Sequence, residues 1–157
     1  MNTRDSLSLD GVWRFCPDLH ADGESLGFWK QDFQVRLWNE VPVPSCFEAA
    51  GPSLERYTGM AWYRRSFGLP ADWHNRRVVL HFEGVNYRAK IWMNGQLIGE
   101  NLDGFLPFEW EVQKYLHADQ DNILAVQVDN AHHDEDVPGK HVQWRGYGGI
   151  LREVTLF

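Results

Sequence analysis

The chain has 157 residues, 43% of them hydrophobic, which fits one folded domain with a core of its own. Charged residues make up 24%, a share typical of folded proteins, so the composition argues against intrinsic disorder. The formal net charge is −7, and the 15 Lys and Arg form no long run. Nucleic acid and anionic membrane surfaces both attract clustered positive charge, so we expect neither as a partner.

The amino-terminal residues 1–10 are polar and lack the apolar stretch of a signal peptide. No segment approaches the roughly 20 apolar residues that a membrane-spanning helix needs. Cys16 and Cys46 could pair in principle, but the simplest interpretation is a cytoplasmic protein with reduced thiols. A chain that had lost its native leader would look the same.

In chain order, the first strand-like run is residues 11–15, followed by a looser stretch over residues 17–39. Residues 41–45 carry two prolines at alternate positions. Proline cannot donate to a strand ladder, so this run is predicted as an extended edge or loop segment. Residues 60–67 predict a strand that stops before Pro70.

Residues 77–83 alternate clearly, with Val78, Leu80 and Phe82 on one face. Residues 87–93 run into Asn94-Gly95, which predicts a hairpin, because a type I′ turn needs positive φ at both central positions. Residues 96–99 form the returning arm.

The last third of the chain continues the pattern. Residues 105–112 contain Pro107 and predict an edge strand or a bulge. Residues 114–117 predict one helical turn, and strands are predicted over residues 122–129 and 150–157. The total is about eight short strands, without the long amphipathic helices of a parallel α/β fold. We therefore predict an all-β antiparallel sandwich of the jelly-roll kind.

Eight short motifs, taken in order, resemble the N-terminal sugar-binding domain of glycoside hydrolase family 2. This family includes β-galactosidases, β-glucuronidases and β-mannosidases, and the domain is similar to galactose-binding-domain-like folds. The motifs are Leu-Asp-Gly-Val-Trp-Arg-Phe (9–15), Val-Pro-Val-Pro-Ser (41–45), Trp-Tyr-Arg-Arg-Ser-Phe (62–67), Leu-His-Phe-Glu-Gly-Val (80–85), Ile-Trp-Met-Asn-Gly (91–95), Pro-Phe-Glu-Trp-Glu-Val (107–112), Asn-Ile-Leu-Ala-Val-Gln-Val-Asp-Asn (122–130) and Tyr-Gly-Gly-Ile-Leu-Arg-Glu-Val (147–154).

The resemblance implies that residues 1–157 form one non-catalytic sugar-binding domain. In the family, an immunoglobulin-like domain and a catalytic barrel follow it, and we expect this chain to lack the barrel. The implied partners are a β-glycoside and those two domains of the same parent chain, with no cofactor. Two alternatives remain open: a free-standing carbohydrate-binding module, and a structural domain that packs on protein through a broad apolar face around Trp92.

The resemblance also suggests substrate-binding residues. Family members carry an asparagine near the sugar in the turn that Asn94 occupies here. Many relatives have a substrate-contacting aspartate shortly before the Gly-Gly-Ile motif, where this sequence has Gln143. Glutamine both donates and accepts hydrogen bonds but carries no charge. Trp144 offers a ring for stacking, against the competing interpretation that it packs internally. We expect residues 132–148 to form a loop that faces the barrel and to lie, with the Asn94 turn, nearest the sugar.

Two clusters of acidic residues invite a chemical role. Glu109 and Glu111 share one strand face roughly 6–7 Å apart, near the carboxyl spacing of a retaining glycosidase. A solvated strand edge is the favoured interpretation, and we predict no catalytic residue in this chain. Residues 132–136 read His-His-Asp-Glu-Asp, but no zinc-site spacing accompanies them. A solvated acidic loop is favoured there, and no metal site is predicted.

Overall fold

Short apolar runs between turn residues build an almost entirely β structure in the computed structural model, which describes residues 5–136 and 146–157. The strands are β1 (Leu7–Ser8), β2 (Gly11–Asp18), β3 (Asn39–Val43), β4 (Met60–Phe67), β5 (Val79–Phe82), β6 (Val85–Asn86), β7 (Arg88–Met93), β8 (Gln96–Asn101), β9 (Phe108–Glu111), β10 (Asn122–Asp129), β11 (Gly149–Ile150) and β12 (Val154–Leu156). Among the described residues, the one α-helical turn is α1 (Gly23–Leu26). Single 3-10 turns cover Phe47–Ala50, Pro52–Leu54, Ala71–Trp73 and Gln113–Tyr115.

All strand pairs are antiparallel. A six-stranded sheet has the order β3-β2-β4-β10-β7-β8, a four-stranded sheet has the order β1-β12-β5-β9, and β11 pairs with β6. The predicted all-β jelly-roll sandwich is confirmed. β4 and β10 have the predicted bounds, and they pair along their whole length. The proline-containing β3 is an edge strand, as proline requires.

The main core lies between the two large sheets, where alternate residues of each strand point inward. β4 shows the rule: Tyr63 joins this core, while Trp62 and Arg64 point to the outer face. Val78, Leu80 and Phe82 are buried in it, as the alternation predicted. The largest fully buried side chains there are Trp13, Phe15, Phe47, Tyr63, Phe82 and Met93.

A second apolar cluster covers the outer face of the six-stranded sheet. Residues 19–38, here called the cap, fold over Trp62 and Trp92 and contribute Phe28 and Trp38. Asp18 fixes the start of the cap, because its carboxylate accepts hydrogen bonds from the Gly23 amide at 3.0 Å and from Trp62 Nε1 at 2.9 Å. Trp92 is only 4% exposed. The apolar face around Trp92, which one of the open alternatives assigned to packing on protein, is therefore covered by the chain itself.

The end of the chain differs from the prediction. Residues 150–157 were expected to form one strand, but they divide into β11 and β12, which pair with β6 and β5 respectively. Between the two strands the amides of Leu151 and Arg152 both donate to Gly84 O, so the chain steps from one ladder to the other. Strands β1 and β6 are each two residues long, too short to produce a periodic pattern in the sequence. Within the described residues, no helix has the length and apolarity needed to cross a membrane.

Candidate functional site

One end of the sandwich carries the long connection between β10 and β11. This region, here called the loop end, comprises residues 131–136 and 146–149 together with β6, the start of β7 and residues 45–47. Asn86 Nδ2 donates to Tyr147 O at 2.7 Å, and Asn130 bonds the Gly59 amide at 2.8 Å. These bonds tie both described ends of the 131–149 connection to the strands beneath it.

Arg88 and Asp136 form a part-buried ion pair at the loop end. Arg88 Nη2 lies 2.5 Å from Asp136 Oδ1, and Asp136 Oδ2 accepts the His133 amide at 2.7 Å. Asp136 is 6% exposed. A buried carboxylate needs such partners, because removing one of them would strand a charge in the interior. The ion pair therefore holds residues 133–136 against the first residue of β7.

Glycines let the returning chain approach closely. A Cβ on Gly148 would lie 2.4 Å from Phe47 Cε2, and one on Gly149, whose φ is +142°, would lie 2.6 Å from Ser45 O. Phe47 N donates to Gly148 O at 2.8 Å, and Ser45 N donates to Ile150 O at 2.9 Å. A side chain at either glycine would push the 146–149 segment off this ladder.

Two polar side chains of the loop end carry buried atoms that have no hydrogen-bond partner among residues 5–136 and 146–157. They are Asn86, through Oδ1, and His132, through both ring nitrogens. The position of a Cβ on Gly146 would lie 3.1 Å from Asn86 Nδ2 and 3.5 Å from His132 Nε2. Buried polar atoms normally have partners, so the small space between Asn86 and His132 suits a hydroxyl group or a water molecule.

The acidic loop is only partly solvated. Asp134 and Glu135 are exposed as expected, but Asp136 is buried in its ion pair with Arg88, which corrects the expectation for that residue. Residues 5–136 and 146–157 contain no group of three or more His, Cys, Asp or Glu side chains arranged to hold a metal ion. Sequence reasoning did not single out Asn86 or Arg88. The available sequence signal was a charged residue, Arg88, at the start of an apolar strand. A charged group beside buried positions requires a partner.

Asn94 occupies the predicted hairpin turn, with φ values of 51° at Asn94 and 76° at Gly95. Its side chain is used within the chain. Nδ2 donates to Tyr115 O at 2.7 Å and to Asn122 Oδ1 at 2.8 Å, while Oδ1 accepts the Ile123 amide at 2.8 Å. The residue is 7% exposed. Its contact with a sugar stays a prediction, and the observed bonds assign its amide to the fold.

The Asn94 turn and the loop end lie at opposite ends of β10. Met93 pairs with Leu124 near the start of β10, whereas Arg88 pairs with Asp129 at its end. A strand of this length spans about 24 Å. The described residues therefore do not bring the Asn94 turn and the 131–149 connection to one sugar ring. Gln143 and Trp144, the other predicted contacts, lie outside the described residues.

Glu109 and Glu111 lie on β9, the edge strand of the four-stranded sheet, and each contacts a basic side chain on or beside β5. Glu111 Oε2 is 2.9 Å from Arg77 Nε, and Glu109 Oε2 is 3.5 Å from His81 Nδ1. Both glutamate side chains are more than half exposed. This is the solvated strand edge that the sequence favoured.

Four of the tryptophans lie in strands and pack against other side chains. Trp13, Trp62 and Trp92 are buried. Trp110 lies in β9 and packs partly buried against the main core, with its ring 5.0 Å from that of Phe108. The structure therefore assigns these four indoles to packing.

Comparison with known proteins identifies the family of this chain. Residues 7–157 match the family described as "Glycosyl hydrolases family 2, sugar binding domain". A β-galactosidase of Thermoanaerobacter pseudethanolicus is 32% identical over 98% of this chain and 21% of its own length, and a β-glucuronidase of Canis lupus familiaris is 34% identical over 74% and 19%.

Solved structures agree with the sequence comparison. A β-glucuronidase from an uncultured Clostridium superposes with a TM-score of 0.87 at 29% identity, over 99% of this chain and 29% of that one. The Ruminococcus gnavus β-glucuronidase gives 0.86 at 26% identity, over 99% and 29%. The chain thus spans less than a third of the length of each of these relatives. It belongs to the family of glycosyl hydrolase family 2 sugar-binding domains.

Proposed function

We propose that this chain is the non-catalytic carbohydrate-binding and scaffold domain of a family 2 β-glycosidase, a larger protein that hydrolyses O-glycosyl bonds. The observation that carries the proposal is the family match over residues 7–157, in relatives that are more than three times longer. In the proposed arrangement, residues 1–157 form one domain, and a catalytic barrel and an immunoglobulin-like domain of the same parent chain are its protein partners.

The loop end is the proposed face toward the barrel. Its ion pair and its glycine contacts fix both described ends of the connection on rigid strands, which is how loops are commonly presented to a ligand. Exposed apolar side chains surround β6 at the same end: Phe105 N donates to Val85 O, and Phe105 and Tyr147 are 48% and 57% exposed. Apolar exposure of this kind is typical of a surface that another domain covers.

Gln143 and Trp144 are the proposed sugar contacts of the loop end, and Asn86 and His132 are further polar groups of that end. We expect a monosaccharide to bind the isolated chain with a dissociation constant of about 1 mM, near −4 kcal/mol, because a partial rim offers few contacts. Titration with galactose, mannose and glucuronic acid by calorimetry and by amide chemical shifts is the test.

The variants for this test are Gln143→Ala and its matched control Glu135→Ala, an exposed acid of the same loop. The first should weaken binding and the second should not. Submicromolar binding of a simple sugar would favour a free-standing module. Absence of binding in both the chain and the parent would favour a domain that only packs on protein.

Catalysis is proposed to lie outside these 157 residues. Glu109 contacts His81 and Glu111 contacts Arg77 on an exposed edge, and the depression lined by Glu111, Gln113 and Lys114 does not include Glu109. The purified chain should therefore leave 4-nitrophenyl β-galactoside and β-glucuronide unhydrolysed. Turnover above that of buffer, abolished by Glu109→Gln or Glu111→Gln, would overturn this part of the proposal.

A cytoplasmic location is also proposed. Cys16 and Cys46 are both free thiols in the structure. Burial raises the pKa of each thiol, so both stay protonated near neutral pH. Two unpaired, unreactive cysteines suit a reducing compartment, and fractionation of the native host is the test.

A further inference from the structure

A second surface with the character of a ligand site lies on the outer face, beside the cap. It is an open depression of about 620 Å³, here called the cap depression. Its lining residues are Ala21, Glu24, Ser25, Trp29, Trp92, Gly95 and Leu97. α1 forms one wall, and the β7–β8 turn and β8 form the other. Between them lies the half-buried Trp29 indole, stacked on Trp92, which is itself only 4% exposed.

The indoles of the cap depression are held in place by the fold. The Trp29 and Trp92 rings are nearly parallel, at 14°, with centroids 6.5 Å apart, and Trp62 backs Trp92 at 5.0 Å. Trp29 Nε1 donates to Glu24 O at 2.9 Å. Trp29 is half-buried and Leu97, on the facing strand, is 51% exposed. A rigid aromatic wall loses little conformational entropy when a ligand covers it.

Polar groups stand at the rim. Glu24 Oε1 is 2.7 Å from Lys90 Nζ, with side chains that are 47% and 22% exposed, and Lys90 lies 5.5 Å above the Trp92 ring. This pair offers both hydrogen-bond acceptors and donors, while its charges cancel. A ligand that complements it carries many hydroxyl groups and no net charge.

We propose that the cap depression is an accessory binding site for a neutral β-linked oligosaccharide. Pyranose rings with equatorial hydroxyls present a flat C–H face, which stacks on an indole, and a ring of hydroxyls at the edge, which meets Glu24 and Lys90. The site includes Gly95, at the opposite end of β10 from the loop end, so it serves a different sugar ring. It goes beyond the proposed function and does not depend on the loop end.

Amide and indole chemical shifts of the ¹⁵N-labelled chain test the proposal, with cellotetraose as the probe. We expect saturable shifts at the Trp29 indole N–H signal and at the Gly95 and Leu97 amides, with millimolar affinity. Tetragalacturonate, which is polyanionic, should shift them much less. No saturable shift at these signals below about 20 mM, or shifts confined to residues 131–149, would overturn the proposal.

Variants separate binding from folding. Leu97→Asp changes an exposed side chain on the wall of the depression, and Trp29→Ala removes the stacking surface. Each should weaken cellotetraose binding by at least about threefold, which a stacking contact of ordinary strength supports. Leu106→Ala is the matched control, because Leu106 is a leucine on the β8–β9 loop that is 60% exposed. This variant should bind cellotetraose as the unmodified chain does. Unchanged affinity in folded Leu97→Asp, established by thermal melting, would overturn the assignment.

Discussion

Arg64 shows how one buried cation organises a segment that has little regular structure. It is 5% exposed, and its guanidinium donates to the carbonyl oxygens of Lys30 at 3.0 Å, Gln31 at 3.2 Å and Phe33 at 3.1 Å. Burial lowers the pKa of Arg64, and the nearby Asp32 carboxylate opposes that shift. The planar group thus joins several part-buried carbonyl oxygens of one turn to β4.

Arg64→Met should lower the free energy of unfolding by about 3 kcal/mol, because it leaves several carbonyl oxygens unpaired at similar side-chain volume. Guanidinium titration followed by circular dichroism measures the change. Arg14→Met is the control: Arg14 forms an exposed pair with Glu40 at 3.1 Å, and its loss should cost no more than about 0.5 kcal/mol. Equal losses for the two variants would contradict the assigned role.

Tyr57 predicts how stability changes at alkaline pH. Burial, followed by the Asp18 and Asp129 carboxylates, raises the pKa of Tyr57 from 10.0 to about 12, and its hydroxyl donates to Met60 O at 2.6 Å. Because the folded pKa exceeds the unfolded one, the stabilisation is complete below pH 10 and is lost as the pH rises through about 12.

The free energy of unfolding should therefore fall between pH 10 and about 12, together with rising phenolate absorbance. Burial also raises the pKa of Tyr63, so part of the slope belongs to that residue. Tyr57→Phe should flatten the pH dependence but not abolish it. A slope identical to that of the parent chain would show that Tyr57 does not titrate with unfolding.

At the scale of single elements, the β7–β8 hairpin combines a turn requirement with a side-chain anchor. Asn94 has positive φ, and its amide bonds Tyr115, Asn122 and Ile123. Asn94→Gly keeps the turn and deletes the bonds, whereas Asn94→Ala loses both. We expect losses of about 2 kcal/mol for the glycine variant and about 1 kcal/mol more for alanine, measured by chemical unfolding.

The two variants of Asn94 also separate a structural role from a role in sugar contact. Gln96→Ala, an exposed neighbour, is the control and should leave stability unchanged. If glycine and alanine cost the same, positive φ is not what selects asparagine at this position. A stability loss near zero for both variants would show that the Asn94 amide is not needed for folding and is available to a ligand.

Elements with a strong local signal were predictable, and those that depend on distant partners were not. The alternation of β4 and β10 and the Asn94-Gly95 pair are readable because strand period and turn geometry are local properties. β6 exists only because β11 returns 63 residues later in the chain to pair Gly149 with Asn86. No local pattern encodes such a pair.

The candidate sites follow the same division. The family motif led to the 132–148 connection, but not to the Arg88–Asp136 pair that anchors it, because the two residues are far apart in sequence and meet only in the fold. The cap depression was missed for a similar reason. Trp29 lies in a stretch without periodicity, and its position above Trp92 depends on Arg64 and Asp18 from other strands.

At the scale of the whole molecule, the six-stranded sheet separates two apolar clusters that differ in what encloses them. The inner cluster is enclosed by both sheets, whereas the outer one, with Trp38, Trp62 and Trp92, is closed by the cap. The cap contains a single four-residue helical turn. It contacts the sheet through aromatic packing, the bonds to Arg64 and Asp18, the Glu24–Lys90 ion pair and the bond from Arg14 to Trp38 O. Segments with few backbone bonds open at lower free energy than the sheets that carry them.

We therefore expect the cap to open without global unfolding. In native-state hydrogen exchange at increasing guanidinium, the amides of Phe28 and Trp38, which bond Gly23 O and Val35 O, should exchange at a lower free energy and with a weaker denaturant dependence than those of Tyr63 and Val126 in paired strands. Arg64→Met should lower the opening free energy of the cap amides more than that of the strands, because its bonds lie in the cap. Convergence of all four amides on one free energy at every denaturant concentration would show instead that the cap and the sandwich unfold as one unit.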